Sequence, residues 1–306
     1  MPDILWPIKW AIEAILVFWH EFLTAVGMPS SAGITWVLSI IGLVLVVRAA
    51  LIPVFVRQIK SQRNMMVMQP ELLAMQKKYK GKTDPDSRQR FAQEQMELYK
   101  KYKANPLSSC LPLLLQMPIF GALFVVLNEA QKTDPNAGVG LLSKELAYSF
   151  GHSQFLGAAL SANFTSGNLN AQIMAAVMIV LMTASQFITQ RQIMAKNQNP
   201  AAMNSQYAQT QKIMLYVFPL IFAVSSFAFP LGVMWYWLAS NFWTMGQQFV
   251  VIRNMPTPGS EAHKAREARL AKKGKALTPE QIEELPEPVK QQRAQPVSKT
   301  RAKKKP

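Results

Sequence analysis

Five long apolar segments dominate this chain, and most of its charged residues lie outside them. Most of these segments reach the roughly 20 residues that a helix needs to cross a hydrocarbon core about 30 Å thick. A chain in lipid must satisfy its own backbone hydrogen bonds, and segments of this length do so as helices. The segments cover residues 36–56, 107–128, 171–190, 212–229 and 231–252. The pattern therefore predicts an all-α integral membrane protein with five transmembrane helices.

The basic residues lie in the connections between these segments. The formal net charge is +16, although half of the residues are hydrophobic. Residues 57–104 hold twelve Lys and Arg and residues 253–306 hold fourteen, whereas residues 1–35 hold one and residues 129–170 hold two. Lys and Arg near the membrane favour the cytoplasmic side. We therefore expect an external N-terminus, an external loop at 129–170, a cytosolic loop at 191–211 and a cytoplasmic C-terminus.

Residues 1–35 are expected to form an extracytoplasmic interfacial helix and a linker. Four polar side chains share one side of the helical wheel, within about 60°: Lys9, Glu13, His20 and Thr24. Such a helix lies on the outer leaflet with its apolar face in the lipid. A sixth span, which would place the N-terminus inside, stays open as an alternative. A cleaved signal peptide fits less well, because the basic start and the cleavage pattern are weak.

Residues 57–104 carry the spacing of a cytosolic coiled-coil hairpin. Apolar residues recur at intervals of three and four on both sides of the turn GKTDPD at 81–86, so two helices of roughly 20 residues would pack antiparallel. Methionines make the apolar side adaptable, which suits the capture of varied substrates. The candidate capture residues are Met65, Met68, Met75 and Met96. For the first three, merely filling the seam stays open as the other interpretation.

Residues 253–306 are expected to be a disordered basic cytosolic tail. They hold fourteen basic and six acidic residues and few large apolar ones, so they cannot bury enough surface to fold alone. The charge suits the ribosome, through its RNA, or anionic lipids. DNA is not an expected partner. A tail that only fixes the topology is the alternative.

Arg48 is the unusual residue of the first span. It lies nine residues before Arg57, roughly 13 Å from the cytosolic end and near the bilayer centre. A charge there costs about 2.5 to 3.5 kcal/mol. None of the five segments contains Asp or Glu, so an ion pair within the membrane is excluded. The charge of Arg48 must therefore be stabilised by water in a groove and by neutral neighbours that accept its hydrogen bonds.

The other spans supply polar residues for such a groove. Tyr236, Ser240 and Thr244 recur every four residues and therefore line one face of the last span. Gln116 and Gln186 add amides from the second and third spans. Taken alone, a residue such as Ser240 could instead join two helices. Three spans with polar residues and one arginine without an acidic partner favour a wet groove.

The sequence gives little support for an enzymatic function. The stretch HEFLT has Thr24 where a zinc-binding HExxH helix has its second histidine, and the three histidines of the chain are scattered. A phosphate-binding glycine loop, a nucleophile elbow and an intramembrane carboxylate pair are missing. Cys110 is the sole cysteine, so the chain has no disulfide and no pair of thiolates for a metal. No catalytic residue, metal or cofactor is expected.

Four ordered motifs resemble those of the YidC membrane-protein insertases and their mitochondrial and chloroplast relatives. They are LVLVVRAALIPVF, MQPEL, LYKKYKANPLSSCLPLLLQMPIF and WYWLASNFWTMGQQ. The resemblance implies a five-span core around a hydrophilic groove open to the cytoplasm and the lipid, with a cytosolic hairpin and an external interfacial helix. Arg48 is then the groove arginine. The residues that line the groove or touch substrate are Gln116, Gln186, Tyr236 and Trp237.

The chain also departs from that family in two respects. Only about 35 residues precede the first span, so the large outer domain of Gram-negative members is not expected. Many Gram-positive members carry an N-terminal lipid, for which Cys110 is not suitably placed. The chain looks like the short, actinobacterial-like form, in the bacterial plasma membrane.

Residues and resemblance together predict an insertase and folding chaperone for nascent membrane proteins, working alone or with the Sec translocon. The groove would hydrate the polar passenger, Arg48 would attract its acidic residues, and burial of its apolar helix in lipid would drive the step. One alternative is a small-anion transporter or channel, which the absence of inverted repeats disfavours. The other is a structural scaffold that docks the ribosome or the translocon.

Overall fold

The computed structural model describes residues 5–105, 111–131, 141–197 and 206–273 of the chain. These residues form ten helices and one pair of two-residue strands. The helices are α1 Trp6–Ala25, α2 Gly33–Ala50, α3 Ile52–Tyr79, α4 Pro85–Lys101, α5 Leu111–Gln131, α6 Lys144–His152, α7 Leu169–Asn197, α8 Gln206–Ser226, α9 Leu231–Asn254 and α10 Glu261–Lys272. The strands β1 Gln154–Phe155 and β2 Ala158–Ala159 pair antiparallel between α6 and α7. Cys110 and residues 274–306 of the expected tail lie outside the described residues.

The range expected for the first span, 36–56, runs across a joint in the structure. Helix α2 begins at Gly33 and ends at Ala50, and Leu51 alone separates it from α3. Pro53 occupies the first turn of α3, where a helix tolerates proline because that N–H has no partner within the helix. Arg48 therefore lies in the last turn of α2.

The main core is formed where α1, α2, α5 and α9 pack together. Leu16, Trp36 and Leu123 are fully buried there, and Tyr236 of α9 reaches the same cluster. A second cluster joins α7 to α9 through residues such as Ala175. Close approach in the bundle depends on small residues, as in other membrane helices.

The polar side of α1 faces the protein. Glu13 and His20 are fully buried and Lys9 is nearly so, while the outward face carries aromatic residues. The backbone N–H of Leu142 donates to Glu13 Oε2 at 3.4 Å, and His20 Nε2 lies 2.9 Å from the carbonyl oxygen of Ser30. Burial raises the pKa of the Glu13 carboxyl. The helical wheel gives the residues that share a face, but other segments of the chain decide what covers it.

Helices α3 and α4 pack on each other as an antiparallel pair. Lys78 Nζ bonds Glu94 Oε1 at 2.6 Å near the turn, and Lys101 Nζ bonds Glu71 Oε2 at 3.0 Å near the other end. Tyr102 also donates to Glu71, and burial together with this bond raises the pKa of Tyr102 to about 12. Such contacts fix the register of the pair.

The four candidate capture methionines are placed differently. Met65, Met68 and Met75 are buried in the seam between α3 and α4, with Leu72 beside them. Met96 exposes 58% of its surface. The structure therefore favours the seam-filling interpretation for the first three and leaves Met96 as the accessible one.

Residues 253–273 are folded, which corrects the expectation of a disordered tail that starts at residue 253. Helix α9 continues to Asn254, Thr257 and Ser260 are buried, and α10 follows at Glu261. Thr257 to Ser260 form a turn in which Gly259 has a φ of +78°. Composition averaged over the whole tail hid this local signal, because a proline followed by a glycine specifies a tight turn whatever its neighbours are.

Candidate functional site

Arg48 makes its contacts with neutral groups. Its Nη2 donates to Ser240 Oγ at 3.1 Å, so the charge on α2 is tied to α9. Its guanidinium carbon lies 5.6 Å from the ring centre of Phe55 in α3, within the range of a cation–π contact. Among the described residues, no carboxylate forms an ion pair with Arg48. The arginine thus has a hydroxyl and a ring as neighbours, and the rest of its hydrogen-bonding capacity is available.

A second hydrogen bond lies one turn away. Gln116 Nε2 of α5 donates to Tyr236 Oη at 2.8 Å, and Tyr236 is only 2% exposed. Tyr236 and Ser240 are four residues apart and so occupy the same face of α9. Arg48, Ser240, Tyr236 and Gln116, which we call the polar row, join α2, α9 and α5 through two side-chain bonds.

The three other predicted groove residues have different surroundings. Thr244 donates to the carbonyl oxygen of Ser240 at 2.8 Å, within its own helix. Trp237 stacks on Phe120, with ring centres 4.7 Å apart and planes 2° apart, in an aromatic cluster. Gln186 of α7 buries its Oε1, which none of the described residues hydrogen-bonds. Side-chain to side-chain hydrogen bonds therefore pair four of the seven predicted groove residues, Arg48 with Ser240 and Gln116 with Tyr236.

Asn241 and Phe55 were not predicted as site residues. The Nδ2 of Asn241, directly after Ser240 in α9, is buried and has no hydrogen-bond partner in the part of the chain that the structure describes. A buried donor without a partner costs about 1 to 3 kcal/mol, so water or a ligand is expected to satisfy it. An asparagine inside an apolar span is itself a sequence signal. The position of Phe55 beneath Arg48 depends on the joint at Leu51, which the sequence did not reveal.

The polar row has the chemistry of a binding surface. It combines one cation with hydroxyl and amide groups and contains no carboxylate or thiol. Among the described residues, no group of three or more His, Cys, Asp or Glu is placed to hold a metal ion. The row can therefore hydrate a polar chain and attract an anionic one.

The fold and the site define a helical membrane protein with hydrogen-bonded polar groups inside its bundle. Two described helices, Gly33–Ala50 and Leu169–Asn197, are long and apolar enough to cross a membrane. Residues 28–258 match the family model described as "60Kd inner membrane protein". The chain belongs to this family, which contains the YidC membrane-protein insertases. The resemblance inferred from the motifs is thereby confirmed.

Three relatives show how far the similarity extends, and each is described as "Membrane protein insertase YidC". The protein of Tropheryma whipplei (strain Twist) is 43% identical over 314 residues, which cover 99% of this chain and 97% of the relative. The protein of Bifidobacterium longum is 34% identical over 318 residues, which cover 98% of this chain and 95% of the relative. That of Streptomyces avermitilis is 42% identical over 87% of this chain but only 61% of its own length.

Proposed function

We propose that this protein inserts nascent membrane proteins into the bacterial plasma membrane through a hydrated groove built on the polar row. It works as an insertase and folding chaperone, alone or with the Sec translocon, and catalyses no covalent reaction. Membership of the insertase family supports the activity. The single observation that carries the mechanism is the bond from Arg48 to Ser240 inside the bundle, with Gln116 and Tyr236 one turn away.

The energetics of this mechanism follow from the composition of the groove. A passenger's polar segment loses water on entering the bilayer, and each unsatisfied backbone group then costs several kcal/mol. Hydroxyls, amides and water in the groove replace part of that hydration. Gln186 and Asn241 support this step because each buries a polar atom that has no hydrogen-bond partner among the described residues. Burial of the passenger's apolar helix in lipid supplies the driving force without a nucleotide.

The proposed topology uses α2, α5, α7, α8 and α9 as the five spans. The N-terminus and the loop at 129–170 are then external, and the C-terminus is cytoplasmic, in agreement with the Lys and Arg counts. Helix α1 lies at the outer interface. Helices α3 and α4 form a cytosolic hairpin that receives substrate, and the basic tail contacts the ribosome or anionic lipids.

Crosslinking tests the groove directly. A photoreactive residue placed at Ser240 or Gln116 should crosslink a stalled nascent membrane protein, because both positions lie on the polar row. The same residue placed at Leu156, which is 76% exposed beyond α6, is the control and should not crosslink it. Equal crosslinking at all three positions would exclude a groove built on the polar row.

The hairpin turn is expected to act in capture. Deleting residues 81–86 removes the turn but leaves the seam and the Lys78–Glu94 ion pair in the remaining chain. We expect crosslinking to short nascent chains to fall severalfold, with the spans still folded. The matched control, Lys82→Ala, keeps the turn. Loss of stable membrane expression on deletion would instead make the hairpin a folding element.

The basic tail is expected to act through its charge. Contacts with RNA or anionic lipid weaken as salt rises, because binding releases counterions. Truncation after Lys273 keeps α10 and the buried residues before it. Ribosome co-sedimentation should then fall mainly at low salt, with insertion of small substrates only partly reduced. Ribosome binding that is unchanged across a salt series would remove RNA as the partner of the tail.

A further inference from the structure

The segment after α9 folds into a small turn that the sequence analysis missed. The carbonyl oxygen of Thr257 accepts from the backbone N–H of Ser260 at 3.2 Å, which closes a four-residue turn with Pro258 and Gly259 in its middle. Pro258 suits the second position, and the positive φ of Gly259 suits the third. Ser260 Oγ then accepts from the backbone N–H of His263 at 3.2 Å and caps α10. The segment is therefore specified by its own sequence.

The turn is buried against two distant parts of the chain. The backbone N–H of Thr257 donates to Asn197 Oδ1, at the end of α7, over 2.8 Å. Thr257 Oγ1 donates to Met66 Sδ of α3 at 3.2 Å. Thr257 is 1% exposed and Asn197 is 8% exposed. One residue thus joins the chain that follows α9 to both α7 and the hairpin.

Met66 does not belong to the seam that joins α3 to α4. The seam contains Met65 and Met68, whereas Met66 lies on a second buried stripe of α3. This stripe continues at helical spacing through Phe55, Gln58 and Gln69. Helix α3 therefore has one buried face for α4 and a second buried face that includes the contact of Met66 with Thr257.

The joint at Leu51 makes this second contact important. A single residue separates α2 from α3, so small changes in its backbone angles swing the far end of a 28-residue helix. At 1.5 Å per residue, that helix extends about 40 Å from the joint. A contact at Met66, halfway along it, fixes the direction of the hairpin.

We propose that Pro256–His263 is a latch, and that Thr257 is the positioning residue that holds the hairpin at a set angle to the groove. This inference rests on the proposed function, because it assigns the latch to the transfer of substrate from hairpin to groove. When the latch is closed, the distance between the hairpin turn and the end of α7 is fixed. With the latch open, the hairpin pivots at Leu51 and transfer becomes inefficient.

Distances between spin labels test the latch without any substrate. In the full-length protein in nanodiscs, with Cys110→Ser, labels are placed at Lys82→Cys in the hairpin turn and at Ala195→Cys near the end of α7. Both positions are exposed. We expect one narrow distance distribution, because the latch is closed.

Two substitutions open the latch from opposite sides. Thr257→Val removes the hydroxyl that reaches Met66, and Asn197→Leu removes the acceptor for the Thr257 N–H. Loss of one such bond is expected to shift the closed-to-open ratio about fivefold and to broaden the distribution. Thr257→Ser keeps the hydroxyl and should restore the narrow distribution. The two opening changes should be less than additive, because they break one structure.

The outcomes separate the latch from the proposed function. Unchanged distances in both opening variants overturn the latch, whatever insertion does. Broadened distances with insertion reduced, and both restored by Thr257→Ser, support it. Broadened distances with unchanged insertion overturn the role in transfer. The proposed function itself fails if, in the unmodified protein, nascent chains do not crosslink to Ser240 or Gln116, or crosslink equally to the control position Leu156.

Discussion

Arg48→Ala is expected to reduce the insertion of substrates with acidic translocated tails at least about tenfold, because an attraction of about 1.4 kcal/mol already changes an equilibrium by that factor. The guanidinium has no carboxylate partner among the described residues, so its charge is available to a passenger. Neutral tails should lose less, because Gln116 and Tyr236 can still exchange hydrogen bonds with them. Arg48→Lys should retain much of the activity, although lysine lacks the planar fork of arginine.

The measurement is protease protection of one substrate whose tail carries two, one or no acidic residues. Ser240→Ala is the matched control, since it removes the hydroxyl that accepts from Arg48 and leaves the charge in place. Its effect on insertion should be the same for all three tails, because the charge of Arg48 is kept. An equal loss across the three tails in Arg48→Ala would contradict the electrostatic role and leave Arg48 as a residue for hydration or folding.

Gly33→Ala should have the largest effect on stability. A Cβ at Gly33 would lie 2.3 Å from the backbone carbon of Gln154, so the start of α2 and strand β1 could not keep their present contact. Backbone atoms cannot move aside as a side chain can. We expect a cost at or above the roughly 1 to 3 kcal/mol that is typical of overpacking.

Thermal midpoints from size-exclusion chromatography of heated, detergent-solubilised protein measure this cost. Gly246→Ala in α9 is the control, because nothing lies within 4 Å of a Cβ there. It should leave the midpoint unchanged or raise it, since alanine favours a helix by roughly 0.5 to 1 kcal/mol over glycine. A Gly33→Ala midpoint equal to that of the unmodified protein would show that β1 moves freely away from α2.

The sequence was informative where a regular pattern governs the structure. The three-and-four spacing around Met68 indicated which side of α3 is buried in the seam, and the spacing of Tyr236 and Ser240 predicted their common face. Both patterns follow from helix geometry alone. Family membership was likewise visible in the motifs and is confirmed.

The sequence was less informative where distant segments meet. The burial of Glu13 depends on the segment at Leu142, more than a hundred residues away, and the burial of Thr257 depends on Met66 and Asn197. Trp237 belongs to the same motif as Tyr236, but it packs on Phe120 and not in the polar row. Adjacent side chains of a helix point about 100° apart, so the two residues face different neighbours. Contacts of this kind depend on the assembled fold, which periodicity does not encode.

The buried polar side of α1 has a consequence for the direction of transport. His20 stacks on the fully buried Trp36 with ring centres 4.0 Å apart, and Trp36 donates to Ser149 at 3.2 Å. In the proposed topology, these contacts form a protein-lined floor beneath the outer end of the bundle, twelve residues before Arg48 in α2. Under the proposed function, we expect water and passenger to enter from the cytoplasmic side only, and a polar segment to leave the polar row sideways toward the lipid interface. We expect such a floor to limit the leakage of ions while the groove is open to the cytoplasm.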